Sequence, residues 1–377
     1  MDRCPTELLH LIFSYACTDG GFTGRSLSAV SRHIHECSKP FNLQSVALHG
    51  TRQTLAFATA LKKIPVHLRQ VRHLFISNDE VDGRDIIGSE KPAEPSVWGV
   101  LTSFAPFSRR TTPTPEQERA RNLSRVLDSD LDLAQALLTV LVKISTSLQT
   151  LAITFECHWV ALRSPGGMAN MATLELPNLT ELSLAYRAPT DAAFNEFVFR
   201  APLSFPALER LDLSGLKLLS YRFTPQLCDR LRKMAPNLTH LHIPTRMALA
   251  NIFQMLPPGQ DVIPPTTNIF HLSPSIQRVL IALSGQNTYI CSNGDGCDCW
   301  RCQLLDKVAP DSCIVVLEGR GKLTWQKLKD QVEVDWEDRA SGGDGCWNES
   351  SAASKYHCGC KAFKSSGSDT KYIIAVI

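Results

Sequence analysis

The chain has 377 residues, 44% hydrophobic and 20% charged, with 39 Lys and Arg against 37 Asp and Glu and a formal charge of +2. That apolar content can enclose a sizeable core, which excludes a mostly disordered chain. The balanced charge gives no clustered positive surface for gripping a phosphate backbone or an anionic bilayer. No run approaches the roughly 18 apolar residues that span a membrane. The apolar stretch Leu8 to Cys17 follows Asp2 and Glu7 and is interrupted by His10, unlike a signal peptide. These features predict an intracellular protein, cytoplasmic or nuclear, with no nucleic-acid or membrane partner.

The first predicted element is a short amphipathic helix that opens at Pro5 and carries Leu8, Leu9, Ile12, Phe13 and Ala16. A second helix is predicted from Ser26, with Leu27, Val30, Ile34 and Cys37 on one face and Arg32, His33, His35 and Glu36 on the other. Lys39-Pro40 ends it. Two short helices over residues 1–42 cannot enclose a core of their own, so their apolar faces must dock on the rest of the chain, on another chain, or on both.

From residue 43 the sequence repeats. Pro177-Asn-Leu-Thr-Glu-Leu-Ser-Leu184, Pro206-Ala-Leu-Glu-Arg-Leu-Asp-Leu213 and Pro236-Asn-Leu-Thr-His-Leu-His-Ile243 share the pattern Pro-x-Leu-x-x-Leu-x-Leu, and Pro274 to Ile281 repeats it with Ile, Val and Ile. The same core without proline occurs at Leu43 to Leu48, Val71 to Ile76 and Leu148 to Ile153. The seven starts are separated by 28, 77, 31, 29, 30 and 38 residues. The last two apolar positions alternate with a polar one, as in a strand with one buried face. Helix-period stripes lie between them: Leu55, Ala58 and Leu61; Leu133, Leu137, Leu138 and Leu141; Phe194, Phe197 and Val198; Leu227, Leu231 and Met234 behind Thr224 and Pro225; and Ile252, Phe253 and Leu256. A strand and a helix per unit of about thirty residues predicts an α/β fold: an irregular leucine-rich-repeat-like solenoid over 43–319, with a parallel sheet along one side. The alternative is an ordinary α/β domain with Leu-rich strands.

Asn78 to Asn122 interrupts the repeats with Gly, Pro, Ser and charge, and predicts a long flexible insertion. Beyond Gly319 the periodicity fails. Residues 320–377 are predicted as a partly disordered cysteine- and glycine-containing tail, with Gly342 to Cys346 as a turn and Tyr372 to Ile377 as a possible closing strand.

The N-terminal segment resembles an F-box. Pro5-Thr-Glu-Leu-Leu-His-Leu-Ile-Phe13 followed by Leu27-Ser-Ala-Val-Ser-Arg32 is similar to the helices with which F-box proteins dock on the Skp-type adaptor of cullin ubiquitin ligases, and residues 2–50 look much like the F-box-like proteins of mushroom-type fungi. An F-box followed by leucine-rich repeats is a familiar arrangement in that family. The resemblance implies adaptor contacts by Pro5, Leu8, Leu9, Ile12, Phe13, Leu27, Val30, Ser31 and Arg32. Cys4 stands where Leu usually precedes the proline, Ser31 where Cys is common, and the Trp often found after the second helix is missing; Asp19-Gly-Gly-Phe-Thr-Gly24 lengthens the first loop. The resemblance implies a non-catalytic substrate-receptor subunit that bridges the adaptor and cullin complex to a target protein. The solenoid's sheet face and the long insertion would present that target. The alternatives are a helix pair that only caps the solenoid, and a leucine-rich-repeat scaffold with no ligase role.

Thirteen cysteines are present, eight of them after residue 290. Cys4, Cys17, Cys37, Cys157 and Cys228 are scattered through apolar surroundings and read as small buried hydrophobes. Cys291, Cys297, Cys299 and Cys302 form C-x5-C-x-C-x2-C, with His357, Cys358 and Cys360 further on. Of these, Cys297, Cys299, Cys302, Cys358 and Cys360 are zinc candidates, but the spacing matches no recognised finger, and a reduced cysteine-rich loop is the simpler reading. No phosphate loop, H-E-x-x-H or G-x-S-x-G occurs. His33, His35, His240 and His242 read as solvated side chains. The sequence therefore predicts no catalytic residue, no metal and no cofactor.

Overall fold

The computed structural model describes residues 4–78, 132–156, 174–187, 203–217, 225–244, 273–282, 313–317 and 324–348. Helices α1 (Thr6–Ala16), α2 (Phe22–Ser28) and α3 (Arg32–Ser38) precede strand β1 (Ser45–His49), helix α4 (Gly50–Lys63) and strand β2 (His73–Ser77). Helix α5 covers residues 132–144. Strands β3 (Thr150–Glu156), β4 (Leu174–Glu175), β5 (Glu181–Arg187), β6 (Leu203–Ser204), β7 (Arg210–Asp212) and β8 (Leu216–Lys217) follow. Helix α6 (Pro225–Met234), strands β9 (His240–Pro244), β10 (Arg278–Ala282) and β11 (Ile314–Leu317), and helix α7 (Trp325–Ala340) complete the described elements.

The fold is mixed α/β around one parallel sheet. Its order, β1-β2-β3-β5-β7-β9-β10-β11, follows the chain, with β8 also paired to β5 and β4-β6 as a separate short ladder. Each strand therefore lies beside its predecessor, and the order never reverses as it does in a doubly wound sheet. The repeat phase sets the register. Leu74, Leu151, Leu182, Leu211, Leu241 and Val279 occupy one row across neighbouring strands. All three apolar positions of all seven repeat copies lie in a single cluster, where Ala58 and Leu61 of α4, Val140 and Ile144 of α5, and Leu231 and Met234 of α6 cover them. Helices shield this face because the strands bury an unbroken column of Leu, Ile and Val there.

The polar positions of the repeat stitch one unit to the next. Asn178 donates to the Thr146 carbonyl over 2.6 Å, Asn237 to the Pro206 carbonyl over 2.8 Å, and Ser275 to the Leu238 carbonyl over 2.9 Å. In the residue before each strand, the Thr180 amide donates to the Gln149 carbonyl, Glu209 to Thr180, and Thr239 to Glu209, each within 2.9 Å. The Pro-Asn-Leu-Thr motif is therefore a loop signature as well as a strand signature: its side chains satisfy backbone groups that the turn leaves open.

The structure departs from the expectations or adds to them in four places. The single helix predicted from Ser26 is two helices. Residues Phe22 to Gly24, placed in a loop, open α2, where Asp19 accepts from the Thr23 amide and hydroxyl over 3.0 and 2.6 Å. The chain then breaks at Ser31, whose extended backbone and hydroxyl, accepting from the Ile34 amide at 3.2 Å, cap α3. Second, an eighth repeat-like strand, β11, pairs with β10. Its sequence lacks the first leucine, because Asp311 stands at that position. Third, the tail contains an ordered helix, α7, capped by Thr324, which accepts from the Lys327 amide. Fourth, that helix lies on the sheet face predicted to be open: Trp325, Val332 and Trp336 pack with Phe75, Ala152 and Ala185. The face is apolar at those positions and cannot stay solvated without cost.

Residues 79–122 of the insertion, the stripes at 194–198 and 252–256, Thr224, Cys157, Tyr372 to Ile377, and Cys297, Cys299, Cys302, Cys358 and Cys360 lie outside the described residues. No helix among the described residues is long and apolar enough to cross a membrane.

Candidate functional site

Two surfaces stand out. The first is helix α1, which is apolar on two sides. Leu9 and Phe13 are buried with Ile34 and Cys37, and Cys4, Leu27 and Phe41 close this small core. Leu8, Leu11, Ile12 and Tyr15, spaced as one helical stripe, are 51–76% exposed. At 100° per residue the exposed stripe lies roughly 130° around the helix from the buried pair. Phe22 on α2 and Val30 between α2 and α3 are also exposed, at 67% and 64%. Six of the ten large hydrophobics exposed among the described residues thus fall between positions 8 and 30, and the other four are scattered along the chain.

The structure divides the nine residues predicted for adaptor contact. Pro5, Leu8, Ile12, Val30, Ser31 and Arg32 are exposed, Leu27 is half-buried, and Leu9 and Phe13 are interior. Leu9 and Phe13 hold the helices together, and the hydroxyl of Ser31 is engaged as a helix cap. Leu11, Tyr15 and Phe22 belong to the exposed surface but were not singled out from the sequence. Their i, i+3 and i+4 relation to Leu8 and Ile12 was the available signal.

The same N-terminal segment seals the first edge of the sheet. The Ala47 amide donates to the Gly20 carbonyl at 3.3 Å, the Ser45 hydroxyl to the Thr18 carbonyl at 3.1 Å, and Gln44 to the Ser14 carbonyl at 2.7 Å. Gly20 adopts φ +66°, where a Cβ would meet Ala47 at 3.1 Å. The helices therefore cap β1 and still leave an apolar stripe outward, so capping does not use up their apolar surface.

The second surface lies on the sheet under residues 338–347. Register places Glu181, Arg210 and His240 in one row, with Ser183, Asp212 and His242 in the next. Glu181 is 6% exposed. Its Oε2 accepts from Arg339 Nε at 2.8 Å and its Oε1 from the indole N–H of Trp347 at 2.9 Å, with Arg210 4.0 Å away. Burial raises its pKa, although Arg339, the Trp347 donor and Arg210 pull the other way. Asp212 accepts from the Ser183 hydroxyl at 2.9 Å and the Ser214 amide at 2.8 Å. Burial opposes its ionisation, but the His242 ring and the Ser214 donors outweigh burial and hold its pKa at about 2. Trp347 closes the site, its ring centroid 6.0 and 6.1 Å from those of His240 and His242.

His240 and His242 were expected in solvent; the first is half-buried and the second buried, because α7 and the following 3-10 turn (Gly345–Trp347) cover their face. His33 is exposed as expected. The predicted turn at Gly342 to Cys346 is present, with Gly342 at φ +95° and Gly345 at φ +56°. The Asp338 carboxylate fastens it by accepting from the Gly345 amide at 2.8 Å. Of the cysteines read as buried hydrophobes, Cys17 and Cys37 are buried and Cys4 is half-buried; burial, with Asp19 nearby, pushes the Cys17 thiol up to about 11. Sequence reasoning missed this second surface, although Trp325, Leu328, Val332 and Trp336 carry a helical period behind a Thr cap.

Compared with family models, with curated proteins and with solved structures, the chain matches none.

Proposed function

We propose that this chain is a non-catalytic docking protein, a leucine-rich-repeat-like solenoid that presents an apolar helical face to a partner. Within that class it acts as an F-box substrate receptor: α1 to α3 bind a Skp-type adaptor of a cullin ubiquitin ligase, and the repeat region carries the target. Proximity would be the mechanism. A target held near a ubiquitin-charged enzyme reacts at high effective concentration without a catalytic residue in this chain.

The observation that carries the reading is the double-sided α1 helix. Its buried side, Leu9 and Phe13, accounts for folding, so the exposed side, Leu8, Leu11, Ile12 and Tyr15, has no role within the described chain. A clustered apolar surface of this kind marks a protein contact. The repeat reading draws its support from the chain-ordered parallel sheet and the shared Leu register. Because residues 325–347 cover the sheet over β2, β3, β5, β7 and β9 to β11, the target surface lies elsewhere on the repeat region or in the insertion, and not on that part of the face.

The test is co-purification of the full chain with a Skp-type adaptor beside Leu8→Asp/Ile12→Asp. Capture by wild type and loss in the still-folded variant supports the receptor. Failure of the folded wild type to capture the adaptor overturns it and leaves a repeat scaffold with no ligase role.

A further inference from the structure

Asp212 on β7, His242 on β9 and Cys346 in the C-terminal 3-10 turn meet beneath Trp347, and neither the repeat pattern nor the docking helices require them there. One ligand atom of each lies within 4.8 Å of the other two. Asp212 and His242 are 3% and 6% exposed. His242 Nδ1 stands 3.1 Å from Asp212 Oδ1 as an ion-pair contact, and among the described residues neither ring nitrogen has an aligned hydrogen-bond partner.

The surroundings suit a ligand set. Ser183 and Ser214 fix the Asp212 carboxylate from behind, the support that ligating carboxylates receive. The Cys346 sulfur lies within 4.8 Å of the Asp212 carboxylate, so a thiolate there would face a like charge unless a cation offset both. A nucleophilic role for Cys346 is a poorer fit, because Trp347 closes the site over His242.

We propose that Asp212, His242 and Cys346 bind one zinc-class divalent cation, with water as the fourth ligand, and that this ion staples the C-terminal segment to the sheet. Sulfur, imidazole nitrogen and carboxylate oxygen together select a borderline cation; calcium and magnesium take oxygen. At bond lengths of about 2.0–2.3 Å, tetrahedral ligand atoms stand roughly 3.3–3.6 Å apart. The His242–Asp212 spacing of 3.1 Å therefore lies within about 0.5 Å of a bound arrangement, and the 4.8 Å limit for the cluster within about 1.5 Å. Binding releases the Cys346 proton, and the thiolate and carboxylate then neutralise the dication. None of its three ligands is among the zinc candidates Cys297, Cys299, Cys302, Cys358 and Cys360, and it departs from the metal-free expectation of the sequence.

The experiment compares the full wild-type chain with Cys346→Ser and His242→Cys, each stripped with chelator and reloaded with Zn(II) or Co(II). Elemental analysis is expected to find one equivalent fewer zinc in Cys346→Ser than in wild type, and the Co(II) form to lose thiolate-to-metal absorption by the same equivalent. His242→Cys, which keeps a ligand, is expected to retain the ion and to gain charge-transfer intensity from its second sulfur. Equal metal content and identical Co(II) spectra in wild type and Cys346→Ser overturn the site. If Cys346→Ser does not fold, an unchanged Co(II) spectrum in His242→Cys overturns it instead.

Discussion

Arg339 donates its Nε proton to Glu181 Oε2 across 2.8 Å, joining two residues 158 positions apart in the chain. The contact matters because Glu181 sits in the first row of strand residues on the sheet, and Arg339 arrives from α7, 58 positions after Ile281 closes the last full repeat. Removing the guanidinium leaves a buried carboxylate without its nearest cation, so Arg339→Met is expected to cost about 3 kcal/mol. Glu181 has a raised pKa, and such a group favours the fold fully below its unfolded value and loses that contribution as pH rises. The deficit of Arg339→Met should therefore be larger at pH 7 than at pH 4, as read by urea unfolding at both. Glu181→Gln/Arg339→Met should recover part of it; equal losses in single and double variants would show the pair to be uncoupled.

His73 makes the opposite prediction. Burial, then Arg72 and Arg339, lower its pKa from 6.5 to about 4, and its Nδ1 pairs with the Thr150 hydroxyl at 2.9 Å. A histidine held neutral contributes its stability above the unfolded value, and that contribution is lost as pH falls from about 6.5 towards 4. The full effect is about 3 kcal/mol. His73→Gln should flatten the fall in melting temperature across that window, measured by circular dichroism from pH 7.5 to 4.

Within α1, neighbouring leucines should behave differently. Leu9, 2% exposed, anchors the three-helix core, and Leu9→Ala should cost about 2–4 kcal/mol. Leu8→Ala, at 51% exposure, should change stability by no more than about 0.5 kcal/mol while weakening adaptor capture. Thermal melts paired with pull-down separate the two effects, and comparable destabilisation by both would place Leu8 in the fold and not in a docking face.

Trp336 is the central side chain of the C-terminal cover, 4% exposed and 5.7 Å from the Phe75 ring. Trp336→Ala should cost about 3–5 kcal/mol and expose the sheet face to a hydrophobic dye. Strong dye binding by the wild type would instead mean that the cover is open in solution.

Gly345 tests the turn that delivers Cys346 and Trp347. It adopts φ +56°, and a Cβ there would lie 2.6 Å from the Asp335 carbonyl. Gly345→Ala should cost about 1–3 kcal/mol and speed proteolysis near residue 345.

The strands were legible because their pattern is local and recurrent. Leu182, Leu211 and Leu241 declare a buried face by alternation and common phase, and the predicted parallel order follows from strand-helix units of about thirty residues. β11 escaped because Asp311 replaces the Leu, Val or Ile that begins each other copy, and α3 escaped because an apolar period runs through Ser31 even though the chain breaks there to cap a new helix.

By itself the sequence determined which side chains must be buried, since apolar periodicity is written into neighbouring residues and burial is the dominant favourable force. Only the tertiary structure decided what covers them. It separates Leu8 from Leu9, turning one outward and one inward according to which helix packs beside α1. It also brings Glu181, Asp212 and His242 under Arg339, Cys346 and Trp347, residues 97 to 166 positions away. No local pattern encodes such a meeting, because it depends on how α7 crosses the sheet after the last strand is laid down.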